Sequence, residues 1–186
     1  MATLEKRTPA KRTPWAWTIA TFFGVGNLKP GPGTYGSVAA MLLWMLAGRY
    51  FVATDGHVSI GDNTLVFHTH LAFFATLTAL AAILITLLGI PASTLVANEA
   101  GREDPGFVVI DEVAGQLITL IGLTPTWPHA LLALLLFRLF DIFKPWPIRR
   151  FEAFPGGKGI MLDDFVAGLF ALLCVQILTH LLPALH

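Results

Sequence analysis

FRLFDIFKPWPIRRFEAFPGGKGIMLDDFVAG, residues Phe137 to Gly168, concentrates charge in a chain that otherwise avoids it. The 186 residues include 12 Lys or Arg and 12 Asp or Glu, and nine of these fall in this window: Arg138, Asp141, Lys144, Arg149, Arg150, Glu152, Lys158, Asp163 and Asp164. Long apolar runs flank it on both sides. Charge beside hydrocarbon is costly unless it is paired, bound to an ion or held at an interface, so such a cluster marks a functional site. Its reading also decides the fold, because the flanking runs are helices of membrane type.

Composition agrees. A hydrophobic content of 55% with 13% charge belongs to membrane proteins. Formal net charge is zero, so no global field argues for nucleic acid. The single cysteine, Cys174, lies in an apolar run and cannot form an intrachain disulfide. The length suits one domain.

Outward from the window, five apolar segments follow the Gly-rich stretch: 36–54, 69–90, 107–123, 129–143 and 164–182. The first, second and last have about the length needed to span. The third and fourth are shorter, carry charge and are joined by Thr124-Pro-Thr-Trp-Pro128, so they read as a helical hairpin packed inside the others. The expected fold is an all-α, polytopic membrane helical bundle with an interfacial N-terminal segment, Trp15 to Gly26, whose two Trp and two Phe suit the headgroup layer. Residues 1–14, with Lys6, Arg7, Lys11 and Arg12, read as a flexible basic tail, and residues 15–186 as one membrane domain. If the N-terminus is cytoplasmic and all five segments cross, eleven Lys and Arg lie inside against Arg49 outside. The same arrangement gathers Asp111, Glu112, Asp141, Lys144, Asp163 and Asp164 on that face.

Gly24 to Ser37, GVGNLKPGPGTYGS, reads as a loop, with Thr34 and Ser37 offering helix caps. It is either a plain turn or a phosphate-binding nest; it lacks the GK[ST] of a P-loop. Asp111 and Glu112 open IDEVAGQLITLIGL, and Asp163 and Asp164 open the last segment, one of them as an N-cap. Two acids favour a helix N-terminus through its dipole alone. Paired acids on two helix ends also suggest a shared divalent metal held by Asp111, Glu112, Asp163 and Asp164, and oxygen ligands favour Mg²⁺ over zinc. Arg138 and Asp141, three apart, can form an ion pair on one helical face. Arg149 and Arg150 either anchor the chain to anionic lipid or bind phosphate. Gly156-Gly-Lys-Gly159 reads as a flexible loop leading Lys158 toward Asp163. His68 and His70 lack a third ligand for a metal site. Carboxylates for a hard metal, cations for an anion and headgroup depth together point to a phosphorylated lipid.

PGTYGS (Pro32 to Ser37), IDEVAGQLITL (Ile110 to Leu120), FRLFDIFKPWPI (Phe137 to Ile148) and GGKGIMLDDFVAG (Gly156 to Gly168) resemble the phosphatidylglycerophosphatase A family, in order and spacing. The resemblance covers essentially the whole domain and leaves out the tail and residues 53–68. It implies a Mg²⁺-dependent phosphatase of the bacterial cytoplasmic (inner) membrane, multi-pass with its site facing the cytoplasm, that converts phosphatidylglycerol phosphate to phosphatidylglycerol. Carried onto matching positions, Asp111, Glu112, Asp141, Asp163 and Asp164 become metal or catalytic residues. Arg138, Lys144 and the Gly-Thr loop become phosphate contacts, and Arg149 and Lys158 stand as further substrate-binding candidates. Two rivals from other classes are a small ion transporter or channel subunit, whose acids would line a path at mid-span, and a lipid phosphotransferase, whose D-G-x-x-A-R pattern this chain lacks.

Overall fold

A computed structural model of the chain describes residues 12–52, 57–60, 63–66 and 69–181. Residues 1–11 of the expected basic tail, and His68, lie outside the described residues. The rest is a bundle of α-helices: α1 (Pro14–Ala20), α2 (Pro32–Val52), α3 (Thr69–Ala100), α4 (Ile110–Thr119), α5 (Trp127–Phe143) and α6 (Gly157–Leu181). Short 3-10 turns cover Val25–Asn27 and Ile148–Ala153. Among the described residues the only strands form a small antiparallel ribbon between α2 and α3, with β1 (His57–Ile60) paired to β2 (Asn63–Val66) so that His57 pairs with Val66 and Ile60 with Asn63.

The bundle is apolar on its outside as well as its inside. Leu46 on α2, Leu84 and Leu87 on α3, Leu135 and Ile142 on α5 and Leu173 on α6 are all exposed. An apolar exterior of this kind is matched to lipid rather than water. Two helices, α3 from His70 and α6, are long and apolar enough to cross a membrane. At ~1.5 Å per residue the 32 residues of α3 reach roughly 48 Å, beyond a hydrocarbon core of roughly 30 Å.

Small residues line the inside. Ala114, Ala133, Ala167 and Ala171 are fully buried. Between α4 and α6 the packing is closest: a Cβ on Gly168 would run into the Gly115 carbonyl, and one on Gly115 would meet the Asp164 carbonyl and the Phe137 ring. Thr119 Oγ1 donates to the Gly115 carbonyl within its own helix and lies 3.3 Å from the Gly168 carbonyl across it. Such small-residue contacts let backbones approach where no hydrophobic force separates helix from lipid. Here they bring Asp164 on α6 beside the start of α4.

Five expectations about the elements are corrected. The Gly-rich stretch is not a loop as far as Ser37: α2 begins at Pro32, where a missing N–H costs nothing, and Gly31 at φ +72° makes the turn into it. Pro91 does not end α3, which continues to Ala100. Burial of Ala92, Val96 and Ala97 against α1 and α4 accounts for the continuation, offsetting the one backbone bond a helical proline forfeits. Gly156 to Gly159 is not a flexible loop, since α6 starts at Gly157 and its backbone N–H donates to Thr94 Oγ1 at 2.9 Å. Asp163 and Asp164 are therefore two turns into α6 and neither is an N-cap. Finally, α4 is central, packed against α2, α3 and α6, whereas its partner α5 presents a leucine face outward, so the two do not form an inner hairpin.

Candidate active site

Five helix ends meet at one end of the bundle: the N-termini of α2, α4 and α6 and the C-termini of α3 and α5. Asp111 and Glu112 occupy the first turn of α4. Asp164 reaches them from α6, and ligand oxygens of the three side chains all lie within 4.8 Å of one another. Asp164 is 2% exposed. Asp111 Oδ1, Glu112 Oε2 and Asp164 Oδ2 are buried with no hydrogen-bond donor among the described residues. Carboxylate oxygens crowded together without donors repel, and a hard cation is the partner that such an all-oxygen set fits.

The start of α2 packs directly against them. A Cβ on Gly33 of α2 would collide with the Glu112 carboxylate and lie 3.2 Å from Arg138 Nη1. The glycines at 26 and 36 serve the same approach lower down, where a Cβ would meet the Phe107 carbonyl and Val109. The Gly-rich stretch is thus the surface against which the backbone leading to Asp111 is laid. Val109 N–H, one residue before α4, also donates to the Ala20 carbonyl at 2.8 Å, so α1 fixes the same segment. The α1 end is held in turn by Glu99 of α3, which accepts from Thr13 N–H at 3.0 Å and Trp17 Nε1 at 2.7 Å. Glu99 had no local motif to mark it in the sequence.

Basic groups form the second layer. Arg138 Nη1 lies 2.5 Å from Asp141 Oδ2 and 3.7 Å from Glu112 Oε1, tying α5 to α4. Lys144, the residue that caps α5 in a left-handed conformation, places Nζ 2.6 Å from Asp163 Oδ2 and 2.7 Å from Glu152 Oε1. Burial alone would lower the Lys144 pKa, but the bonds to Asp163 and Glu152 outweigh it and hold the ammonium above the ordinary lysine value. Asp163 and Asp164, adjacent in sequence, consequently face different partners. Glu152 joins the site although its sequence position in the basic run gave no sign of it.

Of the other candidates, Ser37 is fully buried and donates to the Gly33 carbonyl at 3.0 Å, and Thr34 is exposed in the first turn of α2. Arg149 and Lys158 are exposed, and Arg150 lies over the Trp146 ring at 5.4 Å to its centroid. Gln116, one turn after Glu112, is fully buried with neither amide atom hydrogen-bonded among the described residues.

The profile of the phosphatidylglycerophosphatase A family matches residues 18–179, a span that contains every residue of this site. The chain belongs to that family. A Haemophilus influenzae protein named phosphatidylglycerophosphatase A is 34% identical over 159 residues, 84% of each chain. An Escherichia coli protein of the same name is 33% identical over 172 residues, covering 91% of this chain and 86% of the relative. A Bacteroides thetaiotaomicron protein provisionally named a phosphatidylinositol-3-phosphatase is 34% identical over 165 residues, covering 86% and 90%. No solved structure matches. Membership makes the chain a hydrolase of phosphate monoesters with membrane helices, and it leaves the ion-transporter alternative without support.

Proposed function

We propose that the chain hydrolyses the terminal phosphate of phosphatidylglycerol phosphate to give phosphatidylglycerol, with Mg²⁺ held by Asp111, Glu112 and Asp164. The observation that carries this reading is the convergence of three donor-free carboxylates beside an arginine, in a family of phosphatases. Bound there, Mg²⁺ would neutralise and polarise the phosphoryl group.

The chain's own residues do the rest. Arg138, at the edge of the acid cluster, offers its guanidinium to the phosphoryl oxygens, and Asp141 keeps that side chain in place. The first turn of α2 brings the positive end of a helix dipole, and the bare Cα of Gly33 lets Glu112 and Arg138 lie directly against that turn. Lys144 stays protonated against Asp163 and adds positive charge near the leaving glycerol oxygen. Water adds to phosphorus as the ester oxygen leaves; a cluster carboxylate accepts the proton from water and passes it to the departing oxygen. Thr34, Arg149 and Lys158, all exposed at this end, contact the lipid headgroup layer.

The site faces the cytoplasm of a bacterial inner membrane in this reading, with the chain crossing several times. Supporting it, Arg49 sits in the last turn of α2, at the far end from the acids, whereas Arg102, Lys144, Arg149, Arg150 and Lys158 lie at the acid end. The test is phosphate release by the purified chain from phosphatidylglycerol phosphate, phosphatidic acid and a phosphoinositide, with Mg²⁺ and after chelation. Release from phosphatidylglycerol phosphate that disappears on chelation and returns with Mg²⁺ is expected. Undiminished release after exhaustive chelation would remove the metal, and no release from this lipid would remove the substrate.

A further inference from the structure

Beside the acid cluster, on the far side of Asp163, lies a cleft of about 700 Å³ walled by the end of α3, the loop from α3 to α4, the 148–156 segment and the first turns of α6. Its size is in the range of small-molecule sites. Asn98, Glu103, Asp104, Glu152 and Asp163 all border it, and Arg102 is its one cation. Asp163 is 5% exposed, and its Oδ1 has no hydrogen-bond donor among the described residues, while Oδ2 is taken by Lys144. Arg102, although followed by Glu103 and Asp104, is in no ion pair among the described residues.

This lining is the wrong one for a dianionic phosphate monoester, because Asp163 and Glu152 already share the Lys144 ammonium and Glu103 and Asp104 still outnumber Arg102. It suits a hydroxyl-bearing alcohol with one negative charge attached. Hydroxyls donate to carboxylates and to the Asn98 amide oxygen, and a phosphodiester pairs with an arginine that has no ion pair among the described residues. Resting on the proposed activity, we infer that the cleft holds the bridging part of the headgroup: its free hydroxyl against the carboxylates and its phosphodiester against Arg102. Arg102 is then a specificity-determining residue. It selects lipids that carry a phosphodiester behind the phosphate to be removed, and discriminates against phosphatidic acid, which has none.

The experiment compares kcat and KM of the full-length chain and its Arg102→Gln and Arg102→Lys forms on phosphatidylglycerol phosphate and on phosphatidic acid in mixed micelles with Mg²⁺. Inhibition by phosphatidylglycerol, which keeps the diester and lacks the monoester, is measured alongside. The expected result is a ratio of kcat/KM between the two lipids that falls about tenfold or more in Arg102→Gln, chiefly through KM, with partial recovery in Arg102→Lys. The inhibition constant of phosphatidylglycerol should rise in parallel. An unchanged ratio with unchanged inhibition would overturn the inference while leaving the proposed activity standing. Absence of phosphate release by the unmodified chain from phosphatidylglycerol phosphate would remove both.

Discussion

Asp163 and Asp164 are neighbours on one helix, yet they belong to opposite kinds of site. Asp163 is paired: Lys144 bonds it, Glu152 shares the same ammonium, and three segments are tied together by that pair. Asp164 faces Asp111 and Glu112, and among the described residues no cation lies at bonding distance from it. Buried charge is tolerated only with compensation. At Asp163 the chain supplies it; at Asp164 the proposed Mg²⁺ would supply it, and binding would then add to stability.

The sharpest way to break this contrast is to neutralise one acid of each kind. Asp164→Asn should lower phosphate release by about 10³-fold, the scale of losing several kcal/mol of charge stabilisation. In chelator the same variant should melt higher than the parent by about 2–4 °C, since a repulsion is relieved. Asp163→Asn should melt lower in the same assay; if both shifted the same way, the two acids would not differ as described. Next in size, Gly115→Ala should wedge α4 from α6 and displace Asp164 from Asp111. We expect a loss of about 1–3 kcal/mol in stability and at least about tenfold in activity, measured by denaturation and phosphate release. Lys144→Met leaves Asp163 buried without its counterion, and should cost about 2 kcal/mol in stability with a smaller change in the Mg²⁺ concentration needed for half-activity. The smallest effect is reserved for Arg149→Ala. An exposed side chain with no ion pair among the described residues should change stability by less than about 0.5 kcal/mol, and activity in detergent should stay within about twofold.

Much of the site was legible because charge is conspicuous in an apolar chain. Asp111, Glu112, Asp141 and the Asp163-Asp164 pair stand out against their neighbours, and the three-residue step from Arg138 to Asp141 already places them on one face. The glycines misled. Gly33, Gly36, Gly157 and Gly159 suggested loops, because glycine loosens an isolated chain; in the bundle they lie within helices, where the missing Cβ is what lets Val109, Ile90 or the 152–154 backbone come near. Local pattern reports the freedom of a residue but not what will press against it. The same limit hid Glu99 and Glu152, whose partners Trp17 and Lys144 come from other elements. Asp163 and Asp164, identical in type and adjacent, could be told apart only once α4 and α5 were in place around them.

The β1–β2 ribbon follows the end of α2 that carries Arg49, and α2 is 21 residues long, so the ribbon stands roughly 30 Å along the bundle from Gly33 and the acids. Among the described residues no site contact passes through it. A reporter spliced into that ribbon would therefore ride on a catalytically silent handle, and its labelling in sealed cells, before and after permeabilisation, would read out from which compartment the enzyme draws its substrate.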